Sequence, residues 1–216
     1  MVLDIDATVN KREPEYELIK NLVTECRMPL CYGGGISTVE QAKHIIGLGV
    51  EKISISYAAI ENPDIITGIA REIGSQSIVV VLDIKKEKSF FKEYYGIRSH
   101  NGFKTHKLDL IEFVKKIESA GAGEIIINSI DNDGVQGGYD IKLARSINSI
   151  LNIPSTYLGG AGSLDDIQEL YRKCGLVGAA AGSLFVFKGK FRAVLISYPN
   201  DMKKQEICLS ARLTST

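Results

Sequence analysis

The chain repeats a set of motifs at a nearly fixed offset. The segment CYGGGIST at 31–38 returns as YLGGAGSL at 157–164, with the first glycine of each loop 126 residues apart. In the same way Asp4 in LDID returns as Asp131 in SIDND, 127 residues later. Repetition at a fixed offset indicates that the same supersecondary unit recurs along the chain. The fold must therefore place two similar halves in equivalent positions.

Two kinds of segment alternate between the repeated motifs. Short runs rich in Val, Ile and Ser end in Gly or Asp, and each is followed by apolar residues at helical spacing. This pattern is typical of βα units, which form a parallel sheet covered by helices. Capping sequences at 37–40 (STVE) and 163–166 (SLDD) predict two helix starts, and a further helix is predicted over 109–119. The predicted strands lie near 2–6, 29–33, 52–56, 78–83, 124–129, 155–159 and 176–181.

The strand that ends in Asp83 has no mate, because the equivalent position falls before residue 1. Two equal halves of four βα units make a (β/α)8 barrel, or TIM barrel, of about 250 residues. We therefore predict an α/β TIM barrel that lacks its first βα unit and has seven parallel strands. The missing unit is expected to carry a second acidic strand end. Residues 1–199 are predicted to form this single domain, with a hairpin insertion near 86–106, and 200–216 a C-terminal tail.

Charge and composition argue against several classes of partner. Lys and Arg together number 26, as do Asp and Glu, so the formal net charge is zero and neither nucleic acid nor a membrane is an expected partner. The sequence has no signal-peptide pattern and no apolar run long enough to cross a bilayer, which predicts a cytoplasmic protein. Buried, reduced thiols and no structural metal are expected, because no CxxC pair or metal-ligand spacing includes the four cysteines, Cys26, Cys31, Cys174 and Cys208. No cofactor is expected either.

Four aspartates fall at the ends of predicted strands: Asp4, Asp83, Asp131 and Asp133. Active groups of a parallel barrel lie at these ends, where a carboxylate can transfer protons. The alternative for each is a structural role in capping a helix or anchoring a loop. Asp83 is the strongest catalytic candidate, because it follows an apolar run and directly precedes the basic part of LDIKK.

Glycine-containing loops follow four of the predicted strands. GGGI and GGAG follow one related pair of strands, and ISISYAA and AAGSL end the next related pair. Glycine lets backbone N–H groups approach an anion closely, and helix N-termini favour negative charge. Glycines that only make tight turns are the alternative. Two related loops at a common offset favour one phosphate site in each half, and hence a ligand with two phosphates.

Motifs along most of the chain resemble one known family. LDIDAT, YGGGI, EKISIS, GSQSIVVVLDIKK, GAGEIIINSIDNDG, GGAGS and AAGSLFVFKG occur in order between about residues 2 and 190. Together they resemble the cyclase subunit of imidazole glycerol phosphate synthase, a (β/α)8 barrel of histidine biosynthesis. The ending GSLFVFKGKFRAVLISYP is similar to a branch of that family associated with amidation of surface-polysaccharide sugars. In both cases the barrel accompanies a glutamine amidotransferase.

The resemblance implies roles for individual residues. Asp83 matches one of two general acid/base aspartates, whose partner belongs to the first strand of the family barrel, and Asp133 matches a position close to the substrate. The family substrate is a bis-phosphorylated, ribulose-linked imidazole carboxamide ribonucleotide. Substrate- or phosphate-binding positions implied in the same way are Asp4, Gly34, Gly35, Ser56, Tyr57, Asn128, Gly134, Gly159, Gly160, Gly182 and Ser183.

The sequence also departs from the family pattern. Ser56 and Tyr57 stand where the histidine-pathway pattern usually has Asn-Thr, Leu158 where it has Ser, and Asn128 where it has Thr. Tyr57 is bulky, so its ring is expected to narrow the first phosphate site or to alter what fits there.

Two charged residues begin predicted strands, where an apolar residue would pack more easily. By resemblance, Lys52 and Glu124 match two members of a charged ring that gates ammonia from a docked glutaminase subunit. The alternative is two ordinary solvated charges, since Lys and Glu are usually exposed.

Three functions remain open from sequence. The first is an ammonia-dependent lyase that makes imidazole glycerol phosphate. The second is a partner barrel for an amidotransferase in surface-polysaccharide sugar amidation, favoured by the C-terminal ending and by Tyr57. The third is an inactive truncated barrel, which would expose strand edges and core surface.

Overall fold

The computed structural model describes residues 1–88, 93–189 and 191–212. The strands in this part of the chain are β1 (Val2–Leu3), β2 (Cys31–Gly33), β3 (Lys52–Ile55), β4 (Ile78–Lys88), β5 (Glu93–Ser99), β6 (Lys104–His106), β7 (Glu124–Ser129), β8 (Ser155–Leu158), β9 (Gly178–Ala179), β10 (Phe187–Lys188) and β11 (Ala193–Val194). The helices are α1 (Tyr16–Glu25), α2 (Val39–Gly47), α3 (Tyr57–Glu61), α4 (Asp64–Ile73), α5 (Leu110–Ser119), α6 (Ile141–Asn148), α7 (Leu164–Cys174), α8 (Ser183–Val186) and α9 (Asp201–Arg212).

The chain divides into two compact units. The first comprises Met1–Leu82 and Ile97–Ile125, and the second comprises Asp83–Gly96 and Ile126–Thr216. Strands β4, β5 and β7 contribute residues to both units.

In the first unit, β1, β2, β3 and the start of β4 are neighbours in chain order. The pairing is parallel, and the register aligns Val2 with Tyr32, Tyr32 with Ile53, and Ile53 with Ile78. Parallel strands of this kind bury both faces and are rich in aliphatic residues. The start of β4, Ile78–Leu82, is aliphatic throughout, whereas β2 reads CYG and β3 reads KISI. Helices α1, α2, α4 and α5 cover them, and each contributes isoleucines of zero exposure: Ile19, Ile45, Ile66, Ile69 and Ile117.

In the second unit, β7 lies between β4 and β8, and β9 follows β8. Strands β8 and β9 are parallel, with Thr156 opposite Gly178 and Tyr157 opposite Ala179. The Tyr157 hydroxyl is buried and donates to the Ala144 carbonyl of α6 at 2.9 Å, which ties that helix to β8.

The α/β class and the strand order agree with the sequence prediction. Each of the seven predicted strands overlaps a strand of the main sheet path, β1, β2, β3, β4, β7, β8 and β9, within the described residues. Alternation of parallel strands and helices over this path is the pattern of a partial (β/α)8 barrel.

The hairpin region differs in extent from the prediction. Strand β4 continues past its predicted end at residue 83 to Lys88, and β5 pairs with both β4 and β6. Strands β5 and β6 are antiparallel, with Ile97 opposite His106. Residues 89–92 of the predicted insertion, and 213–216 of the predicted tail, lie outside the described residues. No described helix has the length and apolar character needed to span a bilayer.

Helix starts follow the capping chemistry of the sequence, with one correction. Ser163 caps α7 as predicted, in a reciprocal capping box with Asp166. The first box lies one residue later than predicted, because Thr38 rather than Ser37 caps α2, with Gln41 as its partner. The stretch STVEQ contains two overlapping capping sequences, and the structure uses the second.

We expect Ser163→Ala to lower the free energy of unfolding by about 1 kcal/mol, because the Asp166 N–H loses its side-chain acceptor at the start of α7. Ser149→Ala is the matched control: this exposed serine follows α6, and its loss should change stability by less than about 0.5 kcal/mol. Urea denaturation of both variants measures the difference. Equal stability of the two variants would contradict the capping role.

Candidate active site

A partly buried carboxyl group lies within β4, between the buried residues Leu82 and Ile84. Ile78, Val79, Val80, Val81 and Leu82 are all at most 8% exposed. Asp83 follows them directly, and its Oδ1 accepts a hydrogen bond of 2.8 Å from Asn128 Nδ2 on β7. The aliphatic strand thus holds a carboxyl group in a poorly hydrated position.

This position changes the acidity of Asp83. Burial raises the pKa of the Asp83 carboxyl above its ordinary range, and the negative charge of Asp133 raises it further, while the bond from Asn128 opposes both effects. Desolvation disfavours the charged form of an acid, which is the means by which carboxyl groups are adapted to proton transfer near neutral pH. Of the two predicted catalytic residues, Asp83 is therefore in a perturbed environment, and Asp133 is an exposed neighbour that acts on it.

The remaining strand-end aspartates have structural contacts. Asp131 Oδ2 accepts the backbone N–H of Lys86 at 2.7 Å and so anchors the loop after β7 to β4. Asp4 Oδ1 accepts the N–H groups of Asp6 and Ala7 at 3.0 Å each, and Arg12 pairs with the same carboxylate at 3.4 Å. The ion pair between Asp4 and Arg12 was not predicted from the sequence. Asp131 and Asp4 both hold a loop at a strand end.

The first glycine loop follows β2. Gly34 and Gly35 have φ of 128° and 72°, which non-glycine residues rarely adopt. A Cβ on Gly34 would lie 2.6 Å from the Asp4 carbonyl oxygen. At the end of the loop, Gln41 Oε1 accepts the N–H groups of Ser37 and Thr38 at 2.8 and 3.2 Å. The last two backbone N–H groups of this loop are therefore hydrogen-bonded to a neutral side-chain amide.

Tyr57 lies in a cluster that sequence reasoning missed. Ser56 precedes α3, and the Tyr57 hydroxyl accepts a 3.0 Å bond from Lys104 Nζ of β6. Lys104 also pairs with Glu61 at 3.0 Å, which lowers the Glu61 pKa, and its ammonium lies 4.7 Å from the Tyr57 ring centroid. The His100 ring packs edge-on against Tyr57 at 4.5 Å. Tyr57 is thus held by the β5–β6 hairpin.

The second glycine loop follows β8. Gly159 and Gly160 have φ of 94° and 107°, and a Cβ on either would collide with a backbone carbonyl oxygen, that of Ser129 or of Gly138. Gly182, by contrast, has open space where a Cβ would be. A Cβ on Gly134 would come 4.0 Å from the Ser183 hydroxyl, so these two predicted positions lie close together.

The second loop differs from the first in its charge. Asp166 Oδ2 accepts the N–H groups of Gly162 and Ser163 at 2.8 Å each. A carboxylate thus occupies the position that the neutral Gln41 amide occupies in the first loop. The two related loops are similar in sequence and backbone form, but only the second carries a fixed acidic side chain.

The two residues predicted to gate ammonia form an ion pair. Lys52 Nζ lies 2.7 Å from Glu124 Oε2, and the side chains are 41% and 18% exposed. Cys31 is opposite Lys52 in the β2–β3 register, and burial raises the pKa of its thiol to about 11. The thiol therefore stays protonated at neutral pH, as expected for a reduced cysteine, although Cys31 and the other three cysteines are less buried than expected.

These features define a class: parallel α/β chains of partial (β/α)8-barrel type with a partly buried carboxyl group within a strand and related glycine loops in each half. The model of one family, described as histidine biosynthesis protein, matches residues 1–192. The chain belongs to this family.

Relatives cover most of the chain. It is 54% identical over 205 residues to "Putative imidazole glycerol phosphate synthase subunit hisF3" of Vibrio vulnificus, which is 95% of this chain and 78% of that protein. It is 52% identical over 206 residues to a "Putative imidazole glycerol phosphate synthase subunit HisF" of Leptospira borgpetersenii, 95% of this chain and 80% of that protein. It is 40% identical over 183 residues to "Imidazole glycerol phosphate synthase subunit HisF" of Pyrococcus furiosus. The match covers 85% of this chain and 71% of that protein.

The raised pKa of Asp83 gives a signed pH dependence of stability. A carboxyl group whose pKa is higher in the folded than in the unfolded protein destabilises the fold as pH rises from about 3.9 through the folded-state value. Asp83→Asn is therefore expected to raise the melting temperature at pH 7, with a gain that shrinks as pH falls toward 4. Thermal unfolding across this range checks it, with the exposed Asp165→Asn as control. A loss of stability at pH 7 would contradict burial of a charged carboxylate.

Proposed function

We propose that this chain is the ammonia-dependent cyclase subunit of an imidazole glycerol phosphate synthase. Its substrate would be the bis-phosphorylated ribulosyl imidazole carboxamide ribonucleotide of histidine biosynthesis. The observation that carries the proposal is the desolvated carboxyl group of Asp83 in β4, in a chain that matches the histidine biosynthesis family over residues 1–192.

Asp83 supports this chemistry as a proton-transfer group. Addition of ammonia to the ketone of a ribulosyl group requires a proton at the oxygen and loss of a proton from the nitrogen. A carboxyl group whose pKa is raised toward neutrality can accept and return such protons. Asp133 assists through its charge, because a second carboxylate nearby favours the protonated form of Asp83.

The glycine loops support binding of a phosphate in each half of the ligand. In the first unit, Gly34 and Gly35 bring bare backbone to the end of β2, and Lys104 adds a cation beside Tyr57. In the second unit, Gly182 has no packing contact that requires glycine, so close approach of a ligand to the backbone accounts for it better than packing does. Ser183 supplies a hydroxyl close to Gly134.

The sugar-amidation and inactive-barrel alternatives gain no support from the relatives named above. Those relatives carry the name of the histidine-pathway synthase. One structural feature still bears on the second alternative. Tyr57 is held by Lys104 and His100 next to Ser56, a proposed phosphate-binding position, so its ring would restrict a ligand there.

Because the partner of Asp83 belongs to the first strand of the family barrel, we expect a protein that supplies this chain together with that strand to restore growth without histidine to a bacterial strain that lacks the cyclase gene. The purified protein should form imidazole glycerol phosphate from the ribonucleotide and ammonium. Asp83→Asn should lower this rate by about 10²–10⁴-fold, since a general acid/base contributes that much. Asp165→Asn, exposed in the first turn of α7, is the matched control and should leave the rate unchanged.

Rescue and turnover separate the alternatives. Unchanged turnover in Asp83→Asn would remove Asp83 from the mechanism. Absence of both rescue and turnover in the unsubstituted protein would contradict the cyclase proposal and leave the sugar-amidation partner or the inactive barrel.

We further propose that ammonia comes from a glutaminase subunit and passes the Lys52–Glu124 pair. The relatives are named as subunits of a synthase, which implies a second component. The pair lies at the starts of β3 and β7. A partly buried ion pair with an N–O distance of 2.7 Å can block or admit a small neutral molecule by opening.

Lys52→Met is expected to change glutamine-dependent turnover in the presence of the glutaminase by severalfold, because it removes the pair, while turnover with free ammonium changes little. Lys43→Met is the control: Lys43 pairs with Glu72 at 2.9 Å on exposed helices and should affect neither rate. Comparison of the two nitrogen sources in each variant gives the result. An equal loss of turnover with glutamine and with free ammonium would show that Lys52 supports folding or the reaction itself and does not gate ammonia.

A further inference from the structure

Asn128 is the residue of the second unit whose side chain is least well satisfied. Its Nδ2 donates to Asp83 Oδ1 at 2.8 Å. Its Oδ1 is buried, and no donor for it is present in the part of the chain that the structure describes. The amide thus makes one strong contact, and its other end is covered without a partner.

Such an arrangement is unfavourable for folding. A buried acceptor without a donor loses its hydrogen bond to water and gains nothing in return, whereas an apolar side chain of the same shape would avoid this loss. Asn148 of α6 shows the satisfied alternative in the same unit. Its Nδ2 donates to the Cys174 carbonyl at 2.8 Å, and its Oδ1 accepts from Ser155 at 3.4 Å.

The covered oxygen also bears on ligand binding. Because Asn128 Oδ1 has almost no accessible surface and Nδ2 is already bound to Asp83, neither end of the amide is free to contact a phosphate. The carboxylates of Asp83 and Asp133 on the same side would repel a phosphate as well. These observations favour a role for Asn128 that acts through Asp83.

We propose that Asn128 is a positioning residue, which holds the Asp83 carboxyl group in one orientation and keeps it available as a proton acceptor at a cost to stability. The proposal rests on the proposed role of Asp83 in proton transfer. The Asn128 amide on β7 fixes Oδ1 of Asp83. Oδ2 of Asp83 has no donor among the described residues, so Oδ2 is the oxygen available for the reaction.

The charges around Asp83 set the sign of the effect. Among the described residues, Asp133, in the loop after β7, is the charged group that acts on Asp83, and it favours the protonated carboxyl. Asn128 is the group that favours the ionised carboxyl. Substitution of Asn128 therefore leaves burial and the charge of Asp133 to raise the Asp83 pKa without opposition.

Two substitutions and one control test the proposal. Asn128→Leu removes the donor and the unpartnered oxygen together, so the Asp83 pKa should shift upward. The melting temperature should stay equal or rise at about pH 4, where Asp83 is largely protonated and the higher pKa costs little stability. Asn128→Asp places a second carboxylate against Asp83 and should raise the higher of the two coupled pKa values further. Asn148→Leu breaks two satisfied bonds, so it should lower the melting temperature and leave the Asp83 pKa unchanged.

Carboxyl ¹³C NMR titration, with Asp83→Asn to assign the resonance, measures the pKa, and thermal unfolding measures stability. An unchanged pKa in Asn128→Leu, or a loss of stability as large as that of Asn148→Leu, would overturn the positioning role. These measurements do not depend on turnover. If the pKa shifts as expected and no variant or parent protein forms product, the proposed function fails and the positioning role stands.

Discussion

Burial of β4 is the constraint on which the described site depends. Five consecutive aliphatic residues, Ile78 to Leu82, leave water almost completely, and each contributes about 1.5–3 kcal/mol to the fold. The strand does not end there, so Asp83 is carried into the same poorly hydrated surroundings. Its raised pKa follows from the packing that stabilises the strand. Asp83, the proposed proton-transfer group, and part of the core therefore belong to one strand.

The two glycine loops show how a repeated unit can diverge without a change of backbone. Gln41 and Asp166 occupy equivalent positions, and each accepts two backbone N–H groups at the start of a helix. Only Asp166 brings a negative charge, while Lys104 brings a positive one to the first unit at Tyr57. The two loop regions therefore differ in the charged side chains around them, although Lys104 is itself paired with Glu61.

The order of strands and helices was predictable because buried parallel strands leave a continuous aliphatic signal that needs no tertiary information. The position of Asp83 directly after the aliphatic run followed from the same signal, whereas the continuation of β4 to Lys88 did not. Local ambiguity accounts for the misplaced cap of α2, since Ser37 and Thr38 each begin a possible capping sequence. Nothing local marks the contact of Lys104 with Tyr57, because 47 residues separate them. The unpartnered oxygen of Asn128 was equally invisible, since satisfaction of a polar group depends on its neighbours in space.

The most direct test is calorimetric binding of the bis-phosphorylated ribonucleotide in the absence of ammonia, compared with ligands that carry only one of its phosphates. The account predicts one molecule bound per chain, with affinity that falls as salt is added. Loss of either phosphate should weaken binding by about tenfold or more, since a charge-assisted hydrogen bond contributes at least about 1.5 kcal/mol. Absence of binding, or equal affinity for the singly phosphorylated ligands, would contradict it.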